Sequence, residues 1–273
     1  MGGFIILRVN AGLCDSIYML EMITPYAQKY GRTIVWDLLL YKASDLASVF
    51  DFSKYPVKVL FGSEGLKQVF YTNIEPSCYG LDIHKHAHAT GPGIYSINGQ
   101  PSKFDLQKEY PDSTLLIYHG GHGGWVTMKN IGFTRRVISE FRERKAQLPD
   151  SYSAIHLRAT DHFDQNLKKS LDEIDRFVKD KSAVYLATDN MSLMESLSEK
   201  YPQIIKAFSY KKVDRPYGSL HSDFGNTDPD AVNSAILDIL LCASSKEFLP
   251  SVGGFTRLIA HLHKTPDLLH SLI

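Results

Sequence analysis

Polar side chains that can bind an anion follow a short apolar run in "SAIHLRATDHF", residues 153–163. Arg158 carries a planar guanidinium that makes two parallel hydrogen bonds to a phosphate or carboxylate, a geometry that lysine reproduces poorly. Thr160 and Asp161 follow, and a hydroxyl and a carboxylate there can orient the arginine or a ligand hydroxyl. The alternative is an ion pair between Arg158 and Asp161 at the strand end. His156 precedes them and is expected to be a hydrogen-bonded core histidine.

A glycine pair lies between a predicted strand and a predicted helix in "SVGGFTRLIAHL". Ser251 is expected to end the strand, and Gly253 and Gly254 allow the backbone to approach a ligand closely. Phe255 and Thr256 begin a helix whose unpaired N–H groups favour an anion. The alternative is that the two glycines only allow the turn between strand and helix and bind no ligand.

The turn in "YLATDNMSLM" places Thr188, Asp189 and Asn190 after another strand. Helix capping is the favoured interpretation of all three residues. A contact from Asp189 to a ribose or a base is the functional alternative.

The turn after the first predicted strand, "NAGLCDS", contains Asn10, Gly12 and Asp15. Gly12 allows a close backbone approach, and Asp15 is a candidate helix cap. Asn10 and Gly12 are therefore predicted to contact the same ligand from the other half of the chain.

The bulk composition is that of a globular protein with no overall charge. Lys plus Arg and Asp plus Glu are equal at 30 each among 273 residues, so no global field attracts nucleic acid or an acidic membrane. Cys14, Cys78 and Cys242 are odd in number and widely spaced, which argues against a disulfide framework or a zinc site. We expect reduced thiols, no leader sequence at the apolar N-terminus and a cytoplasmic location.

Strand and helix patterns alternate along most of the chain. Apolar runs predict strands over residues 4–9, 33–39, 114–121, 152–158, 183–188, 204–208 and 247–251. Helical periodicity covers 17–30, 132–148, 167–178, 191–201, 229–243 and 255–262. Gly31 is expected to end the first of these helices, and Asp228 and Pro229 are the expected N-cap and first residue of the helix at 229–243. This alternation predicts α/β structure with largely parallel sheets, whose ligands bind beyond the carboxyl ends of the strands. The turn "KAQLPDS" predicts a boundary between domains at 1–148 and 149–273.

Two groups of histidines lie in the middle of the chain. His84, His86 and His88 alternate in "HKHAH" and could chelate zinc, although an exposed polar loop is the simpler interpretation. In "YHGGHGGW", His122 and Trp125 are predicted to contact a sugar acceptor, with the indole stacking on a sugar ring. The alternative is a tight turn with a core tryptophan.

Three blocks of the sequence resemble the fucosyltransferases that use GDP-fucose, particularly the α1,6 type. They are "GLCDSIYMLEMITPYAQKYGRTIVWDL", "IHLRATD" with its His-x-Arg motif, and the closing "DILLCASSKEFLPSVGGFTRLIAHL". The resemblance does not extend to residues 41–150. The chain departs from the family at Ala159, where many relatives have a second arginine, and in the closing motif, which reads Val-Gly-Gly-Phe-Thr rather than Ser-Ser-Phe-Ser.

The resemblance implies two Rossmann-like domains facing one another across a cleft, the GT-B arrangement, with the donor held mainly after residue 150. It implies that Arg158 binds the donor diphosphate and that the phosphate or fucose pocket is lined by Ser251, Gly254, Phe255 and Thr256. The implied reaction is an inverting transfer of fucose from GDP-fucose to a glycan hydroxyl. Negative charge on the leaving diphosphate would be stabilised by Arg158 and the helix N-terminus at Gly254, without a metal ion or other cofactor.

Arg158 and Asp161 are the predicted catalytic residues. The candidates for the general base are Asp161, Asp15, His119 and His122. Two alternatives stay open: a catalytically silent relative that binds carbohydrate or nucleotide, and a transferase for another nucleotide sugar such as GDP-mannose.

Overall fold

Buried strands flanked by helices form each of the two units into which the chain divides, Met1–Gly132 and Phe133–Ile273. The computed structural model describes residues 3–9, 11–38, 45–69, 74–75, 88–91, 94–97, 100–103, 106–111, 113–119, 124–159, 163–206 and 229–273. The predicted boundary at residue 148 lies inside the second unit. Within the described ranges, no helix combines the length and the apolar character that a membrane span requires.

The first unit is built around a parallel sheet. Its elements are β1 (Phe4–Val9), α1 (Leu13–Lys29), β2 (Thr33–Leu38), a 3-10 turn at Leu46–Ser48, β3 (Phe50–Asp51), β4 (Val59–Phe61), α2 (Gly62–Leu66), β5 (Ile74–Glu75), β6 (His88–Gly91), β7 (Ile94–Ile97), β8 (Gln100–Lys103) and β9 (Thr114–His119). The predicted first strand and helix, the second strand and the strand at residue 114 are confirmed.

The strand order of this sheet is β4-β2-β1-β9-β5, and every neighbouring pair is parallel. Ile5, Ile6 and Leu7 of the central strand are fully buried, as expected for a strand that packs on both faces. Strands β6, β7 and β8 form a separate antiparallel sheet.

Arg32 fixes the amino edge of the first sheet. Its Nη1 donates to the carbonyl oxygen of Ser113 at 2.8 Å, and its Nη2 donates to that of Tyr110. The preceding Gly31 adopts φ 59°, a left-handed conformation that glycine tolerates and that ends α1, as predicted. The "GRT" triplet therefore has a structural role at the edge opposite the predicted ligand site.

The second unit repeats the parallel arrangement. Strand β10 (Gly132–Phe133) spans the division, and the unit continues with α3 (Arg135–Lys145), β11 (Ser153–Leu157), α4 (Phe163–Val178), β12 (Val184–Thr188), α5 (Met191–Lys200), β13 (Ile204–Lys206), α6 (Ala231–Ala243), β14 (Glu247–Leu249), α7 (Gly254–Lys264) and α8 (Pro266–Leu272). The strand order is β13-β12-β11-β14, and each neighbouring pair is parallel. The carboxyl ends of β11, β12 and β14 therefore meet at one edge.

Two element boundaries differ from the sequence prediction. Helix α6 begins at Ala231 rather than at Pro229, and its N-cap residue is Asp230. The Asp230 carboxylate accepts a hydrogen bond from Nη2 of Arg136 at 3.0 Å, so it serves an ion pair rather than a cap. Strand β14 ends at Leu249, which leaves Ser251 in the turn that follows.

Candidate active site

Arg158 follows the last residue of β11 directly and lies at the carboxyl edge of the second sheet. Its side chain is partly exposed, whereas Leu157 before it and Ala159 after it are buried. Its main-chain N–H donates to Oγ of Ser251 at 3.2 Å. The turn after β14 therefore holds the backbone of the residue that carries the predicted anion-binding group.

The guanidinium of Arg158 lies directly against Gly253. A Cβ atom built on Gly253 would lie 2.7 Å from Nη1 of Arg158, closer than carbon and nitrogen approach without a bond. Gly253 also has φ 102° and ψ 176°, a conformation that is essentially restricted to glycine. Both its conformation and the missing side chain are needed to place the positive charge beside this turn.

Gly253 is also the N-cap residue of α7, so the Arg158 guanidinium lies next to a helix N-terminus. Among the described residues, no side chain accepts a capping hydrogen bond there. Thr256, in the first turn of the helix, instead accepts a hydrogen bond through Oγ1 from the N–H of Ser251 at 3.0 Å. The first N–H groups of a helix and a guanidinium both attract negative charge, and here they are adjacent.

His156 lies two residues before Arg158, so both side chains leave the strand on the same face. Its Nδ1 is 3.2 Å from Oγ of Ser251, and its ring stacks on Phe255 with centroids 5.9 Å apart. Removal of the imidazole from water, reinforced by the positive charge of Arg158, lowers the pKa of His156 to about 4. The ring is therefore neutral at pH 7, and Phe255 packs on it.

Asp189 and Asn190 bond to the backbone of the neighbouring turn. The carboxylate Oδ1 of Asp189 accepts the N–H of Ala159 at 2.7 Å, and Nδ2 of Asn190 donates to the carbonyl oxygen of Ala159 at 3.3 Å. Asn190 also caps α5 by accepting the N–H of Leu193 at 2.9 Å. Helix capping thus explains Asn190, as predicted. Asp189 instead connects the end of β12 to Ala159 by a hydrogen bond.

Ala159 is the residue at which the sequence departs from the fucosyltransferases that it resembles. Its side chain is 1% exposed, and both of its main-chain polar groups are bonded to the β12 turn. The site in this chain therefore has the Arg158 guanidinium followed by an enclosed methyl group.

The first sheet also places predicted residues at its carboxyl edge. Gly12 is the N-cap residue of α1, and Asp15 lies in the first turn, where a carboxylate is favourable. One strand position before that edge, the register aligns Arg8 with Asp37, and Nε of Arg8 donates to Oδ2 of Asp37 at 2.6 Å. Both side chains are at least nine-tenths buried. Nothing in the sequence indicates this pair, because Arg8 lies inside an apolar run.

Trp125 is exposed on a segment whose neighbours are held in place. Its exposed fraction is 64%, whereas Val126 beside it is 5% exposed. The carboxylate of Glu21 accepts hydrogen bonds from the N–H of Thr127 at 2.9 Å and from its hydroxyl at 2.9 Å. A Cβ atom on Gly124 would lie 2.0 Å from the ring of Tyr18. The prediction of a core tryptophan at this position is wrong.

Several predicted residues lie outside the described part of the chain. These are Asn10, Asp161, His122, His84 and His86. His119 is the last residue of β9, and His88 is the first residue of β6. Within the described ranges, His, Cys, Asp and Glu residues form no group of three that could hold a metal ion. The zinc interpretation of the alternating histidines stays a prediction.

Two parallel sheets, each with a helix N-terminus at its carboxyl edge, make this an α/β protein, as predicted, and its fold is similar to that of GT-B fucosyltransferases. Solved structures with this fold include the NodZ α1,6-fucosyltransferase soaked with GDP-fucose, which is 17% identical, with a TM-score of 0.60 over 96% of this chain and 93% of that one. A NodZ structure from Bradyrhizobium is 17% identical, with a TM-score of 0.60 over 95% and 92% of the two chains. POFUT1 in complex with GDP-fucose is 10% identical, with a TM-score of 0.51 over 96% and 94%.

No protein-family model and no curated protein sequence matches the chain. The likeness is therefore one of fold, and at that level it confirms the resemblance to GDP-fucose-dependent fucosyltransferases and the predicted fold class.

Proposed function

We propose that the protein is a glycosyltransferase that moves fucose from GDP-fucose to a glycan hydroxyl, with inversion and without a metal ion. The observation that carries the proposal is the placement of the Arg158 guanidinium against Gly253, the N-cap residue of α7. The shared fold with fucosyltransferases crystallised with GDP-fucose or GDP supports the choice of donor.

The proposed reaction needs stabilisation of a leaving diphosphate. The acceptor oxygen attacks the anomeric carbon of fucose, the bond from that carbon to the β-phosphate oxygen breaks, and GDP leaves with the bonding electrons. Arg158 supplies a fixed positive charge, and the first turn of α7 supplies N–H donors on the adjacent side. Ser251 and Thr256 hold this turn in place, and Gly254 and Phe255 begin the helix that faces the donor.

A general base must take the proton of the acceptor hydroxyl. Asp15, Asp161, His119 and His122 remain the candidates, and Asp15 is the one whose side chain the described part of the chain includes. The carboxylate of Asp15 is 3.6 Å from the position of a Cβ on Gly12, which places it at the first turn of α1. Loss of transfer with retained GDP binding in Asp15→Asn would identify it as the base.

We assign acceptor binding to the segment that follows β9. The indole of Trp125 presents an apolar face to solvent, and its neighbours are fixed by Glu21 and Tyr18. Sugars bind to such faces through their C–H groups, so an exposed and fixed indole suits a glycan. His122, three residues earlier in the sequence, is proposed as a polar contact to the same acceptor.

A second candidate function is binding of a nucleotide or carbohydrate without catalysis. It is favoured by one observation, the enclosed Ala159 in place of a second arginine, because a single guanidinium leaves the departing diphosphate less neutralised. Hydrolysis of GDP-fucose by the purified protein distinguishes the candidates, since only the enzyme releases fucose and GDP.

The test of the proposal is a calorimetric titration with GDP and with UDP in the presence of a chelator. We expect micromolar binding of GDP, much weaker binding of UDP, and a loss of about 10- to 100-fold in GDP affinity for Arg158→Ala, the range of a charged hydrogen bond. Arg158→Lys is expected to bind only slightly better, because lysine cannot make the bidentate contact.

The matched control is Arg176→Ala. Arg176 is an exposed arginine in the last turn of α4 and lies at the opposite edge of the same sheet. Its removal should leave GDP binding unchanged. Wild-type GDP affinity in Arg158→Ala, or no GDP binding by the wild-type protein, would contradict the proposal.

A further inference from the structure

Two contacts connect His156 to the backbone of Arg158. Nδ1 of His156 is 3.2 Å from Oγ of Ser251, and the same oxygen accepts the N–H of Arg158 at 3.2 Å. The Ser251 hydroxyl thus lies between the imidazole and the residue two positions along the strand. Because a hydroxyl has one proton and two lone pairs, it can serve both partners in either tautomer of the histidine.

The turn that contains Ser251 also determines where the guanidinium lies. Ser251 is held by Thr256, and Gly253, two residues later, packs against Nη1 of Arg158. A shift of this turn would therefore move both the support of the Arg158 backbone and the surface on which its side chain rests. His156 acts on the turn at two points, through Ser251 and through the stacked ring of Phe255.

We propose that His156 is a positioning residue, which holds the Ser251 turn so that the Arg158 guanidinium stays at the N-terminus of α7. This inference rests on the proposed role of Arg158 in binding the donor diphosphate. The uncharged ring adds no second positive charge that would repel the guanidinium, which fits a positioning role rather than one in binding phosphate.

The experiment compares two substitutions that each remove one feature of the histidine. His156→Phe keeps an aromatic ring to stack on Phe255 but removes the hydrogen-bonding nitrogen. His156→Asn loses the ring but has an amide that can donate to or accept from Ser251 near the Nδ1 position. We expect GDP affinity to fall about tenfold in His156→Phe and to stay within about threefold of wild type in His156→Asn. The reverse order would overturn the role of the Ser251 contact.

A double-mutant cycle separates positioning from direct contact with the nucleotide. In an Arg158→Ala background, His156→Phe should cause no further loss of GDP affinity, because the group that it positions is gone. A further loss of about tenfold in that background would mean that His156 contacts the ligand itself, and would overturn the proposal. Thermal unfolding of each variant reports whether the fold is kept.

If His156→Phe does not fold, Ser251→Ala tests the same connection. It should lower GDP affinity in the wild-type background and have no effect in the Arg158→Ala background. Equal losses in both backgrounds would overturn the proposal. The proposed function fails separately, if Arg158→Ala itself binds GDP as the wild type does.

Discussion

Nη1 of Arg158 lies 2.7 Å from the place where a side chain on Gly253 would begin, and Gly253 has φ 102°. We therefore predict that Gly253→Ala lowers GDP affinity, but by less than Arg158→Ala does, because the methyl group shifts the guanidinium without removing it. The strained backbone should also lower the free energy of unfolding by about 1–3 kcal/mol. Calorimetric titration and chemical denaturation measure the two effects.

Gly31→Ala is the control for that prediction. Gly31 also has positive φ, at 59°, but a side chain there would meet no atom within 4 Å. It should lower the free energy of unfolding by about 1–2 kcal/mol and leave GDP affinity unchanged. Unchanged GDP affinity in Gly253→Ala would show that the guanidinium does not need this close approach.

The two tryptophans of the chain give a direct test of acceptor binding. Trp36 is fully buried and Trp125 is 64% exposed, so iodide should quench mainly the fluorescence of Trp125. We predict that an accepted glycan protects this fluorescence from iodide and that Trp125→Ala raises the KM for that glycan without changing GDP affinity or stability by more than about 0.5 kcal/mol. Quenching that glycans never alter would contradict the proposed acceptor contact.

Asp189 should stabilise the fold through its hydrogen bond to the backbone of Ala159, in addition to its predicted contact with the donor. Asp189→Ala removes the acceptor of the 2.7 Å hydrogen bond and should lower the free energy of unfolding by about 1–2 kcal/mol. Asp189→Asn keeps an oxygen at that position and should recover most of the stability. If Asp189→Asn still binds GDP weakly, the carboxylate has a direct role in donor binding; if it binds GDP normally, the backbone contact is sufficient.

The Arg8–Asp37 pair should be one of the costlier contacts to break in the first sheet. Removing one partner of a buried ion pair leaves the other charge without compensation, so Asp37→Ala should lower the free energy of unfolding by about 3–5 kcal/mol. Glu64→Ala breaks the exposed pair with Lys67 and should cost less than about 1 kcal/mol. If urea denaturation gave the same loss of unfolding free energy for Asp37→Ala and Glu64→Ala, the prediction that burial makes the first pair costlier to break would be wrong.

His156 should make stability depend on pH in a defined direction. Its pKa is lowered to about 4 in the folded chain, whereas an unfolded histidine has a pKa of about 6.5, so the unfolded state binds the proton first. Stability should therefore decrease as the pH falls from about 6.5 to 4, with a slope of up to about 1.4 kcal/mol per pH unit from this group. His156→Asn lacks the group, so the difference in unfolding free energy between wild type and variant should change over this range. A constant difference would contradict the lowered pKa.

The order of elements was accessible from the sequence because the apolar runs are long and regular. Strands β1, β2, β9, β11 and β12 and helices α1, α4, α5 and α7 were predicted close to their observed bounds. The start of α6 was not, because Asp228, Pro229 and Asp230 all resemble helix starts, and an ion pair with Arg136 engages the carboxylate that a cap would need. Residues 41–111 gave few predictions, since strands of two to four residues carry little periodicity.

Residue type and spacing were sufficient to predict that Arg158, Asp189 and Ser251 lie at or just after the ends of three strands of one parallel sheet. The contacts of these side chains could not be predicted in the same way, because they depend on the folded chain. In the folded chain, Gly253 lies against the Arg158 guanidinium, and the Asp189 carboxylate accepts a hydrogen bond from the backbone of Ala159. The hydroxyl of Ser251 lies between His156 and Arg158. On either side of the exposed Trp125, Thr127 and Gly124 likewise meet Glu21 and Tyr18, which are more than 100 residues away along the chain. Such contacts join residues far apart in sequence, so no local pattern records them.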